Sequence, residues 1–202
     1  MRKNIIQTVW DFVGILFRLV LFDQSWLPKF GWTTLEEERL GQVLRCLEGK
    51  LLDIGSGPNT LVRRYGNGIG VDVYDWGYGT VVVEDTSQLP FESYSFDTIT
   101  CVASLNHIPN RQDVLLEIKR LLKPGGKLII TMINPFLGDI GHKIWWYDEH
   151  HERGGMEEGE VGGIWKKDLI EMCEVAGFKL RLHKRFVYGM NNLYVFDLST
   201  AS

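Results

Sequence analysis

The sequence predicts an α/β protein built on a mostly parallel sheet, and three observations carry that prediction. Short apolar runs alternate with amphipathic helical patterns from residue 50 to residue 176, which requires crossover connections between parallel strands. Tight turns close many of these runs, as 22 glycines against 6 prolines suggest. The last two runs, 178–186 and 192–198, are too close together for a helical crossover and should pair antiparallel. The chain has 202 residues, 45% hydrophobic and 24% charged, so one domain is the default and about 70% of the unfolded surface could be buried. Its net charge of −4 speaks against a nucleic-acid binder, which needs a basic face for phosphates.

The elements follow in chain order. Residues 1–32 read as a helical extension, and 33–202 as the domain proper. Arg2 and Lys3 precede an apolar stretch from Ile5 to Phe22, but Asp11 and Arg18 interrupt it and no small-residue cleavage site follows. Secretion is not expected. Ile5, Ile6, Val9, Trp10, Val13, Leu16, Phe17 and Val20 fall on one helical stripe, which broadens with Ile15, Leu19, Leu21 and Phe22. Two readings stay open: a helix that packs over the domain as a cap, or an interfacial helix on a lipid surface with Trp10 and Trp26 near headgroup level.

Thr33 followed three residues later by Glu36 makes a capping box, so a helix is expected from Thr33 to about Leu47. Strands are expected over 50–54, 68–72, 80–84, 96–102 and 127–133, the last entered through Pro124-Gly125-Gly126. Helices are expected over 60–65, 111–122 and 166–176. In the second of these, Val114, Leu115, Ile118, Leu121 and Leu122 give the helix from Arg111 its apolar face. Cys46, Cys101 and Cys173 are odd in number and far apart, so each reads as a small buried side chain in a reducing compartment. The expected location is cytoplasmic, with the N-terminal helix as the route to a membrane periphery.

In such a sheet ligands bind at the carboxyl ends of the strands. The first strand ends in Asp53-Ile54-Gly55-Ser56-Gly57, where Gly55 permits a sharp turn and Gly57 leaves the backbone open to a ligand. Asp72 ends the second strand 19 residues after Asp53, about the spacing at which an acid reaches a ribose hydroxyl. Taken alone, the glycines could simply turn the chain into the next helix, and Asp72 could be a solvated turn residue.

Several segments resemble the class I S-adenosylmethionine-dependent methyltransferases, particularly the small-molecule group with a bare Rossmann-like core. Leu52-Asp53-Ile54-Gly55-Ser56-Gly57 is similar to the family's first motif, and Val71-Asp72-Val73 to its second. Glu84-Asp85-Thr86-Ser87-Gln88-Leu89-Pro90-Phe91 is similar to the adenine-side segment, and Ser95-Phe96-Asp97-Thr98-Ile99 to the opening of the fourth strand. Ala103-Ser104-Leu105-Asn106-His107-Ile108 resembles the segment that lines the methionine and substrate side. Leu121 to Leu128 resembles the helix-to-fifth-strand turn.

The resemblance implies a doubly wound, seven-stranded sheet of order 3-2-1-4-5-7-6 and S-adenosylmethionine as cofactor. It implies that Asp53, Gly55, Ser56 and Gly57 hold the methionyl part, Asp72 and Val73 the ribose, Asp85 and Thr86 the adenine, and that Ala103 lines the site. Pro58-Asn59 departs from the family, standing where many relatives carry a further glycine; a stiffer turn and a shifted helix start are expected.

A sulfonium methyl donor is already activated, so transfer mainly needs orientation and desolvation. A base is needed only where the acceptor must lose a proton. His107, after the fourth strand, is the candidate, with a pocket-shaping histidine as the alternative. The acceptor is expected to be small or lipid-like.

Between residues 134 and 165, Trp145-Trp146-Tyr147 precede a charged run and five glycines, which suggests a lid, or else an extra helix with a core of rings. His150 and His151 sit on a polar run, and no metal is expected there. Asn134-Pro135-Phe136 superficially resembles a motif of nucleic-acid amino methyltransferases but follows the wrong strand and lacks a second proline. The rival functions are a nicotinamide-dependent oxidoreductase on a related fold, disfavoured by Thr60 where that fingerprint wants Gly or Ala, and a cofactor-binding protein without turnover.

Overall fold

The computed structural model describes residues 4–18, 24–133, 135 and 159–199. Within them seven strands form one sheet, β1 (Leu51–Ile54), β2 (Gly68–Asp72), β3 (Val81–Val82), β4 (Phe96–Val102), β5 (Leu122–Ile133), β6 (Phe178–Phe186) and β7 (Asn191–Leu198). Their order is β3-β2-β1-β4-β5-β7-β6, as predicted. The pairs from β3 to β5 are parallel, and β7 runs antiparallel to both β5 and β6.

The helices are α1 (Ile5–Val13), α2 (Leu35–Val43), α3 (Thr60–Tyr65), α4 (Arg111–Leu121) and α5 (Lys166–Val175). One face of the sheet packs Leu52, Ile54, Leu128, Ile130, Tyr194 and Phe196 against Val114 and Ile118 of α4 and Leu169 and Cys173 of α5. The other packs Leu51, Ile129, Leu193 and Val195 against Leu40 and Val43 of α2 and Leu61 and Val62 of α3. Alternate residues of β5 and β7 therefore serve opposite layers, which fixes their register. Each such side chain fully removed from water contributes about 1.5–3 kcal/mol.

Three boundaries differ from the sequence reading, and one expected shift does not occur. The cap of α2 is Thr34, whose hydroxyl accepts from the Glu37 amide at 3.0 Å, so the helix starts one step later than the Thr33 box predicts. The β3 strand is only two residues long, because it lies at the sheet edge with exposed side chains and a single neighbour. The β5 strand starts before Pro124 rather than after Gly126: Leu122 pairs with Phe96, and a register shift between Phe96 and Thr98 absorbs the Pro-Gly-Gly step. Finally, Asn59 adopts φ 58, the left-handed conformation that a glycine would supply, and α3 starts at Thr60 without displacement.

The largest departure concerns α1. As a cap it should bury its apolar stripe, yet Ile5 is 82% and Ile6 80% exposed, while Asp11 is 1% and Arg18 0% exposed. The stripe that faces the domain is Gln7, Asp11, Gly14 and Arg18. Asp11 accepts from the Gln7 side chain at 3.0 Å and the Thr33 amide at 2.9 Å. Arg18 donates to the Thr33 and Asp11 carbonyls, to the Tyr188 hydroxyl and to Glu38. A Cβ at Gly14 would sit 2.3 Å from the Trp32 ring, so only glycine admits that ring. Among the described residues no helix is long and apolar enough to cross a membrane.

Candidate active site

The residues singled out in the sequence gather at the carboxyl edge of the parallel strands: Asp53 to Gly57 after β1, Asp72 and Val73 at β2, Asp85 and Thr86 past β3, and Ala103 to His107 past β4. Gly55 and Gly57 have φ of 68° and 52°, but for different reasons. A Cβ at Gly55 would lie 2.4 Å from the Ser104 Cβ, so this glycine lets the end of β4 close on the turn. A Cβ at Gly57 would meet nothing within 4 Å. Gly57 thus fronts open space, as a ligand cradle requires.

The amides of the turn are already engaged. Gly55 and Ser56 both donate to the Val71 carbonyl, at 2.9 and 3.1 Å, and Gly57 donates to the Asp72 carboxylate at 2.9 Å. These bonds tie the turn to β2 and engage the amides of the three residues that the resemblance sets beside a methionyl group. The same turn amides are those that a dinucleotide site offers to pyrophosphate. The Ser56 hydroxyl is turned inward beside Gly70 and Asn59, buried and without a hydrogen-bond partner.

What remains at the edge is a set of acceptors. Asp53 is wholly buried and takes the Thr100 hydroxyl at 2.5 Å. Burial, and secondarily the nearby Asp72 charge, push its carboxyl up to about 7, against the Thr100 hydrogen bond. No ion pair to Asp53 occurs among the described residues. Asp72 takes the Tyr74 amide on its other oxygen, at 3.1 Å, which leaves lone pairs on both. The hydrogen bonds to Asp85, from the Ser87 amide and hydroxyl and from Asn110, all fall on Oδ1, so Oδ2 is the oxygen left to a ligand. The Ser87 bonds hold its carboxyl below the usual range. Val73 is half exposed, Thr86 buried, and Ala103 adopts φ 55, a left-handed bend that turns the chain out of β4. Three carboxylates around an open turn fit a ligand that brings a cation, ribose hydroxyls and an amino-purine.

His107 ends a short 3-10 turn over Leu105–His107, and its Nδ1 lies 3.3 Å from Glu160 Oε2. A carboxylate beside Nδ1 orients the ring and favours the tautomer that carries its proton there. The segment carrying Glu160 is tied down by Asn106, which exchanges backbone and side-chain bonds with Val161, and by Arg111, which bridges the Leu105, Asn106 and Gly159 carbonyls. A cleft of about 590 Å³ opens beside it, lined by Arg111, Glu160, Trp165, Asp168 and Met172 among others. It lies on the β5–α5 side, apart from the glycine turn.

Sequence reasoning missed Thr100, Asn110, Arg111 and Glu160. Thr100 carried a signal, since it pairs in register with Asp53. Glu160 carried none, being 53 residues from His107 behind a glycine-rich stretch. Asn134, Phe136, the rings of Trp145-Trp146-Tyr147, and His150 and His151 lie outside the described residues.

Residues 52–130 match the family model described as a methyltransferase domain. A ubiquinone biosynthesis O-methyltransferase from Marinobacter nauticus is 29% identical over 94 residues, 46% of this chain and 38% of that protein. A demethylmenaquinone methyltransferase from Bacillus cytotoxicus is 29% identical over 127 residues, 54% of this chain and 52% of that protein. This chain thus spans about half or less of the length of these curated relatives. A solved SAM-dependent methyltransferase from Thermotoga maritima superposes with a TM-score of 0.65 at 20% identity, over 92% of this chain and 99% of that one. The structural likeness shows the fold, and the sequence matches bear out the resemblance read from the motifs. Together they give no support to the nicotinamide alternative.

Proposed function

We propose, from the premise that residues 52–130 form a class I S-adenosylmethionine-dependent methyltransferase domain, that the chain transfers a methyl group to a small or lipid-like acceptor bearing a hydroxyl. The observation that carries this reading is the trio Asp53, Asp72 and Asp85 around a turn whose amides are spent internally. When bound, the cofactor supplies a methyl group activated on a sulfonium.

Asp53 accepts from the ammonium of the methionyl part, beside the turn of Gly55, Ser56 and Gly57. Asp72, followed by Val73, accepts from the ribose hydroxyls. Asp85 Oδ2 accepts from the adenine amino group, with Thr86 and Ala103 forming walls. His107 takes the proton that an acceptor hydroxyl loses on methylation, and Glu160 stabilises the imidazolium so formed. One relative named as a ubiquinone biosynthesis O-methyltransferase and one named as a demethylmenaquinone methyltransferase support an apolar, quinone-like acceptor class, and the first of them supports an oxygen acceptor.

Calorimetry with S-adenosylhomocysteine and with NADH tests the cofactor: binding of the first and not the second is expected, and binding of NADH alone overturns the reading. In methyl transfer from S-adenosylmethionine to hydroxylated quinols, His107→Gln should lower kcat by about 10²-fold or more while cofactor affinity holds. A rate within a few-fold of the parent assigns His107 a shaping role only.

A further inference from the structure

We propose that the N-terminal face of the molecule, made by α1, the turn after it and the segment Gln24–Phe30, seats the protein on an anionic lipid surface. The inference deepens the proposed lipid-like acceptor and rests on that reading for its purpose, though not for its geometry. The helix is amphipathic with its sides reversed. Ile5, Ile6, Val9, Phe12, Val13 and Leu16 stand in solvent, and the half-exposed Trp10, Trp26 and Phe30 extend the patch.

This orientation is locked. Asp11 and Arg18 make hydrogen bonds with Thr33, Glu38 and Tyr188 that exist in one rotation of the helix only. Rolling the apolar side inward would break a buried ion pair, and among the described residues of the domain nothing covers the patch.

The charges select the cover. Within 4–18 and 24–32 the one carboxylate is Asp11, which is buried, while the exposed cation Lys29 lies 4.1 Å above the Trp26 ring. Arg2 and Lys3 precede α1 in the sequence. With the buried Asp11 and Arg18 set aside, residues 1–32 carry the cations Arg2, Lys3 and Lys29 against the single acid Asp23, so a chain of net charge −4 has at this end an apolar, aromatic and net basic segment, the composition that binds anionic headgroups. Position agrees as well. Tyr188, which meets Arg18 and lies tilted against the Phe12 ring at 5.8 Å, is at the tip between β6 and β7. Because Ile133 pairs with Asn191, that tip lies at the carboxyl end of β5, the same edge as His107 and Asp53. Seating this face on a bilayer brings the methyl-transfer edge to the lipid.

The test is co-sedimentation of the full chain with vesicles of phosphatidylcholine alone or with one quarter phosphatidylglycerol, at low salt and without cofactor. Binding to the anionic vesicles is expected, with a blue shift of tryptophan emission. The exposed-face variant Val9→Glu, with unchanged melting temperature and S-adenosylhomocysteine affinity, should bind at least tenfold more weakly. Lys29→Glu should show a smaller loss that salt abolishes. Absence of binding to anionic vesicles overturns the proposal. So does a dimer in ultracentrifugation that Val9→Glu dissolves without any vesicle binding, which would assign the face to a second copy. Loss of S-adenosylhomocysteine binding in the parent protein would instead overturn the functional reading, and the vesicle result would stand.

Discussion

Asp53 and Asp11 are both buried carboxylates, 2% and 1% exposed, and they illustrate two ways to use one. Asp11 is surrounded by donors from its own chain: the Gln7 side chain, the Thr33 amide and the Arg18 guanidinium at 3.8 Å. Asp53 has the neutral hydroxyl of Thr100 and a neighbouring acid, Asp72. The first arrangement is electrostatically complete and anchors a helix. The second is incomplete, so the carboxyl is held partly protonated near neutral pH until a cation arrives. A buried acid supplied with its cation points to structure, and one without it points to a ligand.

The comparison can be tested from both sides. Arg18→Met should be the most damaging change, since it leaves Asp11 buried without its cation. A loss of about 3–5 kcal/mol is expected in urea denaturation, and adding Asp11→Asn should restore part of it through the coupling of the pair. A loss below about 1 kcal/mol would mean that the pair does not anchor α1.

Asp53→Asn should have opposite effects on fold and ligand. It should weaken S-adenosylhomocysteine binding by about 1.5–3 kcal/mol through loss of a charge-assisted hydrogen bond. It should also stabilise the unliganded protein at pH 8. The folded carboxyl titrates at about 7 against an ordinary 3.8, so the native state holds a proton that the unfolded chain releases. Stability should therefore fall as pH rises from about 4 to about 7 and level off above, and Asp53→Asn should flatten that slope. Cofactor affinity should move the other way, rising with pH up to about 7 as binding expels the proton. Proton release measured calorimetrically in two buffers checks the sign.

Asp72→Ala should weaken cofactor binding by a similar or smaller amount, about 1.5–3 kcal/mol. It also frees the Gly57 amide, which Asp72→Asn would keep bonded, so the two variants separate ribose contact from turn support. The smallest effect on the fold is expected for Gly57→Ala, about 1–2 kcal/mol for a left-handed residue with open space around it. Cofactor affinity should suffer more than stability there. Gly55→Ala, which drives a methyl into Ser104, should instead lower stability first.

The same contrast explains what the sequence made legible. Asp53, Gly55, Gly57 and Asp72 lie within 20 residues of each other on two adjacent strands, and their meaning is in local spacing. Periodicity likewise exposed the stripe of α1, but periodicity has no sign. Whether apolar or polar residues face inward was decided by Thr33, Glu38 and Tyr188, and the last is 170 residues from Arg18. Glu160 was hidden for the same reason. The edge strand β3 and the passage of β5 through Pro124 were misjudged because their limits depend on neighbouring strands, not on their own composition.

The bond between Arg18 and Tyr188 has a consequence for the order in which the protein is made. The polar stripe of the N-terminal helix depends in part on a hairpin tip that is translated some 170 residues later. At about 5–20 residues per second, the stripe waits about 8–34 seconds for its last partner. During that interval Thr33 and Glu38 are already available to Asp11 and Arg18, and the bond to Tyr188 is the last of the set to close. The hairpin tip then acts as a latch on an orientation that the nearer partners have set.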